Sequence, residues 1–230
     1  MIILMPGRIF PLVTDEIYHV YNRGVVRLPT FLTTRDYRRF LNTIHYYINA
    51  SPKLSYSKFL QLTLEKRDST IKMLINNQSN LIELIAYCLM PNHFHLLVKQ
   101  KQENGISIYM SNILNSYTRY FNTKNIDRHG HVFEGRFKAK RIESDEQLVH
   151  VIRYIHLNPY TGYVIKTLDE LEEYAYSSLG VYLQKRNDIN LNKEFLDENF
   201  KSNEDLKKFT YDQADYQRKL DQIKHLTLED

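Results

Sequence analysis

Two apolar runs, Leu81 to Met90 and Phe94 to Lys99, flank the dipeptide Pro91-Asn92, which restricts the middle of the chain to a β-hairpin. His93 and His95 lie at the start of the second run. Side chains on a strand alternate between its faces, so two imidazoles two positions apart converge on one face while Phe94 and Leu96 anchor the other. Converging imidazoles form a candidate metal site that lacks a third ligand. The segment Arg153-Tyr154-Ile155-His156-Leu157-Asn158-Pro159 offers one, because Tyr154 and Asn158 are four residues apart and share a helix face. The pairing points to a metal combined with a tyrosine nucleophile.

The rest of the chain supplies a frame for these residues. Glu16 to Asn22 alternates like a strand, with Arg23-Gly24 as the turn after it. Asp36 to Asn49 has helical spacing, with a start at Thr33 or Thr34 and a stop at Ser51-Pro52. Residues 53 to 80 are polar and mixed, with a helix expected around Ser57 to Leu64. Ile106 to Phe121 reads as a helix that feeds into a basic segment. Ser144 and Gln147 form a capping box that starts another helix; Leu148, Ile152 and Ile155 are its buried stripe, and Pro159 is expected to stop it. Tyr154 and Asn158 then sit on an adjacent face. Residues 187 to 230 read as a charged helical tail.

A chain of 230 residues can bury one good core with an appendage. Its single cysteine, Cys88, excludes an internal disulfide, fits a reducing cytoplasm, and reads as a buried thiol. The net charge of +4 and pI of 8.9 are only mildly basic, so distribution matters more than the total. Between Tyr117 and Arg141 lie Arg119, Lys124, Arg128, Arg136, Lys138, Lys140 and Arg141 against Asp127 and Glu134, whereas the chain beyond Leu168 is acidic. A basic block of this kind suits nucleic acid. No apolar stretch approaches the roughly 20 residues that span a bilayer, and Met1 to Pro6 is too short for a signal peptide. The expected location is the cytoplasm, with the nucleoid, and no membrane partner.

The string Met90-Pro91-Asn92-His93-Phe94-His95-Leu96-Leu97-Val98 resembles the signature of the single-tyrosine HUH transposases, in the branch of REP-associated tyrosine transposases. Three further blocks follow the same order: Tyr18 to Gly24, Gly130 to Lys138, and Tyr154 to Pro159, the similarity spanning roughly residues 17 to 182. The resemblance implies that His93 and His95 bind a divalent metal, Tyr154 is the nucleophile, and Asn158 is the third protein ligand. It also implies an α+β fold, a ferredoxin-like antiparallel sheet flanked by helices with a C-terminal helical extension. Residues 1–183 would form the transposase-like domain, with 51–80 an insertion, and 184–230 the tail. The chain departs from the pattern after the tyrosine helix, where Asn158-Pro159-Tyr160-Thr161-Gly162 lacks the arginine common in relatives. It has no tryptophan; Phe133 and Tyr176 stand in its place.

Two imidazoles and an amide oxygen leave positions open for phosphate oxygens and water, which suits Mg²⁺ or Mn²⁺. Tyr154 would attack a phosphodiester of single-stranded DNA carrying hairpins, giving a 5′-phosphotyrosine that a later 3′-hydroxyl can reverse. Arg23, Arg119, Arg136, Lys138, Lys140 and Arg141 are the candidate backbone contacts, and Phe133 the candidate stacking platform. Tyr117 and Tyr120 are rival nucleophiles, but Phe121 and Lys124 stand where an amide would be needed. His129-Gly130-His131 is a second histidine pair in a loop, and His19 reads as a strand residue with a hydrogen-bonding role. Competing readings are a domesticated, non-cleaving nucleic-acid-binding protein and a small protein with a structural zinc. A second copy of the chain, in a homodimer, is a further candidate partner.

Overall fold

The computed structural model describes residues 11–50, 52–76, 79–187 and 191–219. Four strands, β1 (Ile17–Arg23), β2 (Ile82–Met90), β3 (His93–Gln100) and β4 (Lys138–Arg141), form one antiparallel sheet in the order β2-β3-β1-β4. Helix α1 (Thr34–Tyr46), followed by α2 (Tyr56–Phe59) and α3 (Leu64–Asn76), joins β1 to β2. Helix α4 (Gly105–Lys124) joins β3 to β4. With α2 and α3 set aside, the succession is βαββαβ, the ferredoxin-like arrangement. The hairpin lies where the sequence placed it.

The alternation in β1 separates the two faces. Tyr18, Val20 and Asn22 are buried on the face covered by α1 and α4, while His19 and Tyr21 point the other way. Opposite them on β3, Phe94, Leu96 and Val98 join the first set. Phe40 of α1 rests on Phe94 at 5.0 Å and meets Tyr117 of α4 edge-on at 5.1 Å. Burying each such ring stabilises the fold by about 1.5–3 kcal/mol. Asp36 closes the capping box with Thr33 at the start of α1 and is itself fully buried. It accepts hydrogen bonds from Lys124 Nζ at 2.7 Å and Tyr120 Oη at 2.8 Å, tying α1 to α4.

Helix α5 (Asp145–Thr161) covers part of the other face, packing over β2 and β3. Ser144 Oγ accepts from the Gln147 amide at 3.2 Å, and Leu148, Ile152 and Ile155 are buried, as expected. Pro159 does not end the helix. It occupies the last turn, where its lost N–H forfeits one bond, and the helix closes at Gly162, whose amide donates to the Asn158 carbonyl at 2.8 Å. Residues 53–80 also differ from expectation, because α3 starts where the predicted helix was to end. Its run Glu65 to Thr70 is polar, and only Ile71 and Leu74 bring it onto the core, so the helical period is weak in the sequence.

Beyond α5 lie the short helices α6 (Glu170–Glu173), α7 (Leu179–Tyr182), α8 (Glu194–Asn199) and α9 (Asn203–Tyr211), and residues 220–230 of the expected helical tail lie outside the described residues. The outer edge of β2 is closed by this region: the Leu89 amide donates to the Tyr176 carbonyl and the Ser178 amide to the Tyr87 carbonyl, both at 2.9 Å. Helix α9 docks on α5, with the Arg153 guanidinium 3.6 Å from the centre of the Phe209 ring. Glu172 anchors it further through Lys207 at 2.7 Å. Among the described residues no helix is long and apolar enough to cross a membrane.

Candidate active site

The register of β1 on β3 builds the site. Arg23 lies opposite His93 and Tyr21 opposite His95, so Arg23, Tyr21, His19, His93 and His95 share one face of the sheet. The His93 and His95 rings stand perpendicular with centroids 5.0 Å apart. His95 is buried, and its Nδ1 lies 2.9 Å from Nε2 of His19, while its Nε2 has no hydrogen-bond partner. Burial, reinforced by His93, His19 and Arg23, holds the His95 pKa well below the usual histidine range. Burial and then Lys140 lower His19 to about 4. Both imidazoles are therefore neutral at pH 7, the state that can donate a lone pair to a cation.

Helix α5 brings Tyr154 over this pair. Its half-buried ring meets His95 edge-on at 5.4 Å and His19 at 5.9 Å. Asn158, one turn on, is buried, and its Nδ2 donates to the Tyr154 carbonyl at 2.7 Å, which leaves Oδ1 as the atom available to a ligand. The packing of Gly162 against Met90, the strand partner of His93, shows that α5 runs from the His95 end of the site toward the hairpin turn. His156 faces away from Tyr154 and is a core residue, its Nε2 2.9 Å from Ser178 Oγ.

The turn holds His93. Asn92 Oδ1 lies 2.7 Å from His93 Nδ1, and Asn92 Nδ2 donates to the Arg27 carbonyl at 3.1 Å. That carbonyl belongs to a strained loop, in which Val26 and Arg27 have φ of 55° and 57°. A β-branched residue in the left-handed region costs on the order of 1–3 kcal/mol and persists only where its surroundings enforce it. Gly24 helps to enforce it: its amide donates to the Asn92 carbonyl at 2.7 Å, and a Cβ there would collide with the Leu28 carbonyl.

The basic residues divide between the faces. Lys138 and Lys140 are exposed on the site face, opposite Tyr21 and His19. Arg23 is there too, 3.8 Å from Glu134, and Arg136 is exposed just before β4. Arg141 is not gathered with them. It pairs with Tyr18 on the opposite face and makes a two-pronged ion pair with Glu16 at 2.5 and 3.0 Å. Arg119 is exposed on α4, which covers that same opposite face.

Phe133 corrects the expectation of a stacking platform. It is 5% exposed, and its ring packs on Phe40, Phe94 and Tyr117, so it belongs to the core beneath α1 and α4. Tyr117 donates to the Thr30 carbonyl at 2.6 Å, and Tyr120 is bound to Asp36; both lie on the far side of the sheet from the histidines. Burial raises both phenols, Tyr120 to about 12 with further help from Asp36. Neither is placed as a nucleophile. His129 and His131 are exposed in the loop before β4.

Sequence reasoning gave His19 a hydrogen-bonding role without a partner and Asn92 no role beyond the turn. The β1–β3 register, which one sequence does not contain, was the missing signal.

Among the described residues no three His, Cys, Asp or Glu side chains are grouped to hold a metal. The candidate donors here are the imidazoles of His93 and His95, with the Asn158 amide on the helix that carries Tyr154. The buried, unpartnered Nε2 of His95 fits that set, because such an atom carries an unreturned desolvation cost unless a ligand meets it. A family model described as "Transposase IS200 like" matches residues 62–158. The matched segment is similar to the IS200-like transposases. The part of the chain that matches holds His93, His95, Tyr154 and Asn158, whereas β1 with His19 lies before it. A solved structure of a REP-associated tyrosine transposase bound to a REP hairpin is similar in fold, with a TM-score of 0.53 and 15% identity. The likeness covers 84% of this chain and 93% of that one. No curated protein matches the sequence.

Proposed function

We propose that this protein is a transposase that cuts and rejoins single-stranded DNA at hairpin-associated sites through a 5′-phosphotyrosine on Tyr154. The observation that carries the reading is the Tyr154 ring lying over His95, whose Nε2 is buried without a partner. In the cleavage step, Tyr154 Oη forms a bond to phosphorus as the bond from phosphorus to the 3′-oxygen breaks. The phenol proton is lost and the departing oxygen becomes a 3′-hydroxyl. Because the phosphotyrosine conserves the phosphodiester bond energy, attack by another 3′-hydroxyl rejoins strands without a nucleotide cofactor. His93 and His95 through Nε2, with Asn158 through Oδ1, would hold Mg²⁺ or Mn²⁺. Such an ion, when bound, supplies Lewis-acid polarisation and orientation of the scissile phosphate.

The chain's own residues do the rest. Asn158 is tied back to the backbone of Tyr154, so ligand and nucleophile are fixed on one helical turn. Lys138, Lys140, Arg23 and Arg136 form the rim along which a DNA backbone would run, and the phosphate contacts make binding salt-dependent. The test is incubation with labelled single-stranded hairpin DNAs and Mn²⁺, followed by denaturing gel and mass spectrometry of the adduct. An adduct mapped to Tyr154 and absent in Tyr154→Phe is expected. DNA binding without any adduct would favour a domesticated, non-cleaving binding protein.

A further inference from the structure

We infer that Asn92 and His19 are positioning residues that lock His93 and His95 in the tautomer protonated on Nδ1, so that both present Nε2 to the ion. This rests on the proposed metal site. For His93 the hydrogen bonds fix the answer. Asn92 Nδ2 donates to the Arg27 carbonyl, which can only accept, and this sets which end of the amide is nitrogen. Oδ1 therefore faces His93, and since an amide oxygen only accepts, His93 Nδ1 must carry the proton. The lone pair of a neutral ring is then on Nε2.

For His95 the same logic runs through a second imidazole. His19 Nε2 and His95 Nδ1 are 2.9 Å apart, so one donates and one accepts. If His95 Nδ1 accepted, its proton would sit on Nε2, a buried atom with no acceptor in reach. Donation from His95 Nδ1 to His19 Nε2 avoids that unpaired donor and turns a lone pair into the site. His19 is then protonated on Nδ1. Ligand histidines commonly give their second N–H to such an acceptor, and losing it typically costs 10–100-fold in metal affinity.

The arrangement also gives the strained loop a purpose. The left-handed turn at Val26 and Arg27 presents the carbonyl that orients Asn92, and the Gly24 amide clamps the same residue from its backbone side. One ligand is thus set from the loop after β1 and the other from within β1, so the first strand supplies support for both histidines without contributing a ligand.

The test combines long-range ¹H–¹⁵N imidazole spectra of the full chain without metal with Mn²⁺ titration followed by electron paramagnetic resonance. The expected spectra show His93 and His95 protonated on Nδ1. His19→Phe and Asn92→Ala should each weaken Mn²⁺ binding 10–100-fold. His19→Gln, which can still offer an acceptor oxygen, should recover most of that loss; a role confined to packing would not produce this rescue. A proton on Nε2 of either histidine, or unchanged Mn²⁺ affinity in both variants, overturns the inference and leaves the metal reading intact. Absence of Mn²⁺ binding in the parent protein overturns both. Should His19→Phe fail to fold, the tautomers of the parent protein decide the matter alone.

Discussion

The two faces of the sheet are made from alternate residues of the same strands, yet they are built to different ends. Beneath α1 and α4, Phe94, Phe40, Tyr117 and Phe133 interlock and Asp36 is paired with Lys124 and Tyr120, although Asn22 Nδ2 there has no partner. Beneath α5, His95 is buried with one ring nitrogen unpaired and Tyr154 is only half covered. The first face collects stability, and the second uses it to hold polar groups where they would not otherwise stay. A change of one residue along β3 therefore moves a substitution from one purpose to the other.

The sharpest contrast is between tyrosines. Tyr154→Phe should abolish the covalent DNA adduct and leave the urea unfolding midpoint nearly unchanged. Tyr117→Phe should retain the adduct and lose about 1 kcal/mol of stability, the net worth of its hydrogen bond to Thr30. Loss of the adduct in Tyr117→Phe would erase the division of labour.

Neighbours on β3 offer the next test. Phe94→Ala should cost about 3–5 kcal/mol by urea unfolding, as expected for an aromatic ring removed from a packed core. His95→Ala should cost about 1 kcal/mol and remove Mn²⁺ binding. Equal destabilisation by the two would mean that the site face is also structural.

Acid should loosen the molecule through carboxylates outside the site. Lys185 and then Lys207 hold the Glu172 carboxyl down at about 2. Burial alone would raise Asp36, but its hydrogen bonds from Lys124, Tyr120 and Thr33 outweigh that and keep it below its ordinary value. A carboxylate with a depressed folded pKa contributes fully above its unfolded value and loses the contribution as pH falls through the folded one. Tm should accordingly hold steady above about pH 4.5 and fall toward pH 2, less steeply in Glu172→Gln. A flat profile in the parent protein would contradict these ion pairs.

The smallest effects concern the rim. Lys138→Ala and Lys140→Ala should each lower single-stranded DNA affinity and reduce the salt slope by about 0.7. Arg141→Ala and Arg119→Ala, on the other face, should leave the slope unchanged, and a reduced slope in either would extend the DNA path around the sheet edge.

Local pattern made much of this legible. The hairpin follows from two apolar runs about Pro91-Asn92, and the start of α5 from the Ser144 and Gln147 cap. The ferredoxin-like order, which the family resemblance implied, is the order the sheet adopts. What escaped depends on pairing between distant segments. His19 and His95 are 76 residues apart, and only the β1–β3 register brings them together. Arg141 shows the same limit, since moving one position from Lys140 reverses its face. Phe133 sits in a basic segment whose composition pointed outward, while its ring is drawn in by aromatic partners from α1, β3 and α4. Helix α3 was hidden because its exposed side is longer than its buried one.

The closure of the β2 edge has a consequence for the order in which the molecule is made. β2 is the most apolar strand of the sheet, an aggregation hazard when its edge is bare. Its cover lies far downstream: Ser178 meets Tyr87 across 91 residues of chain. At a synthesis rate of about 5–20 residues per second, that interval is roughly 5 to 18 s. Throughout it β3 can shield one side of the strand, while the other side waits for a segment the ribosome has yet to deliver.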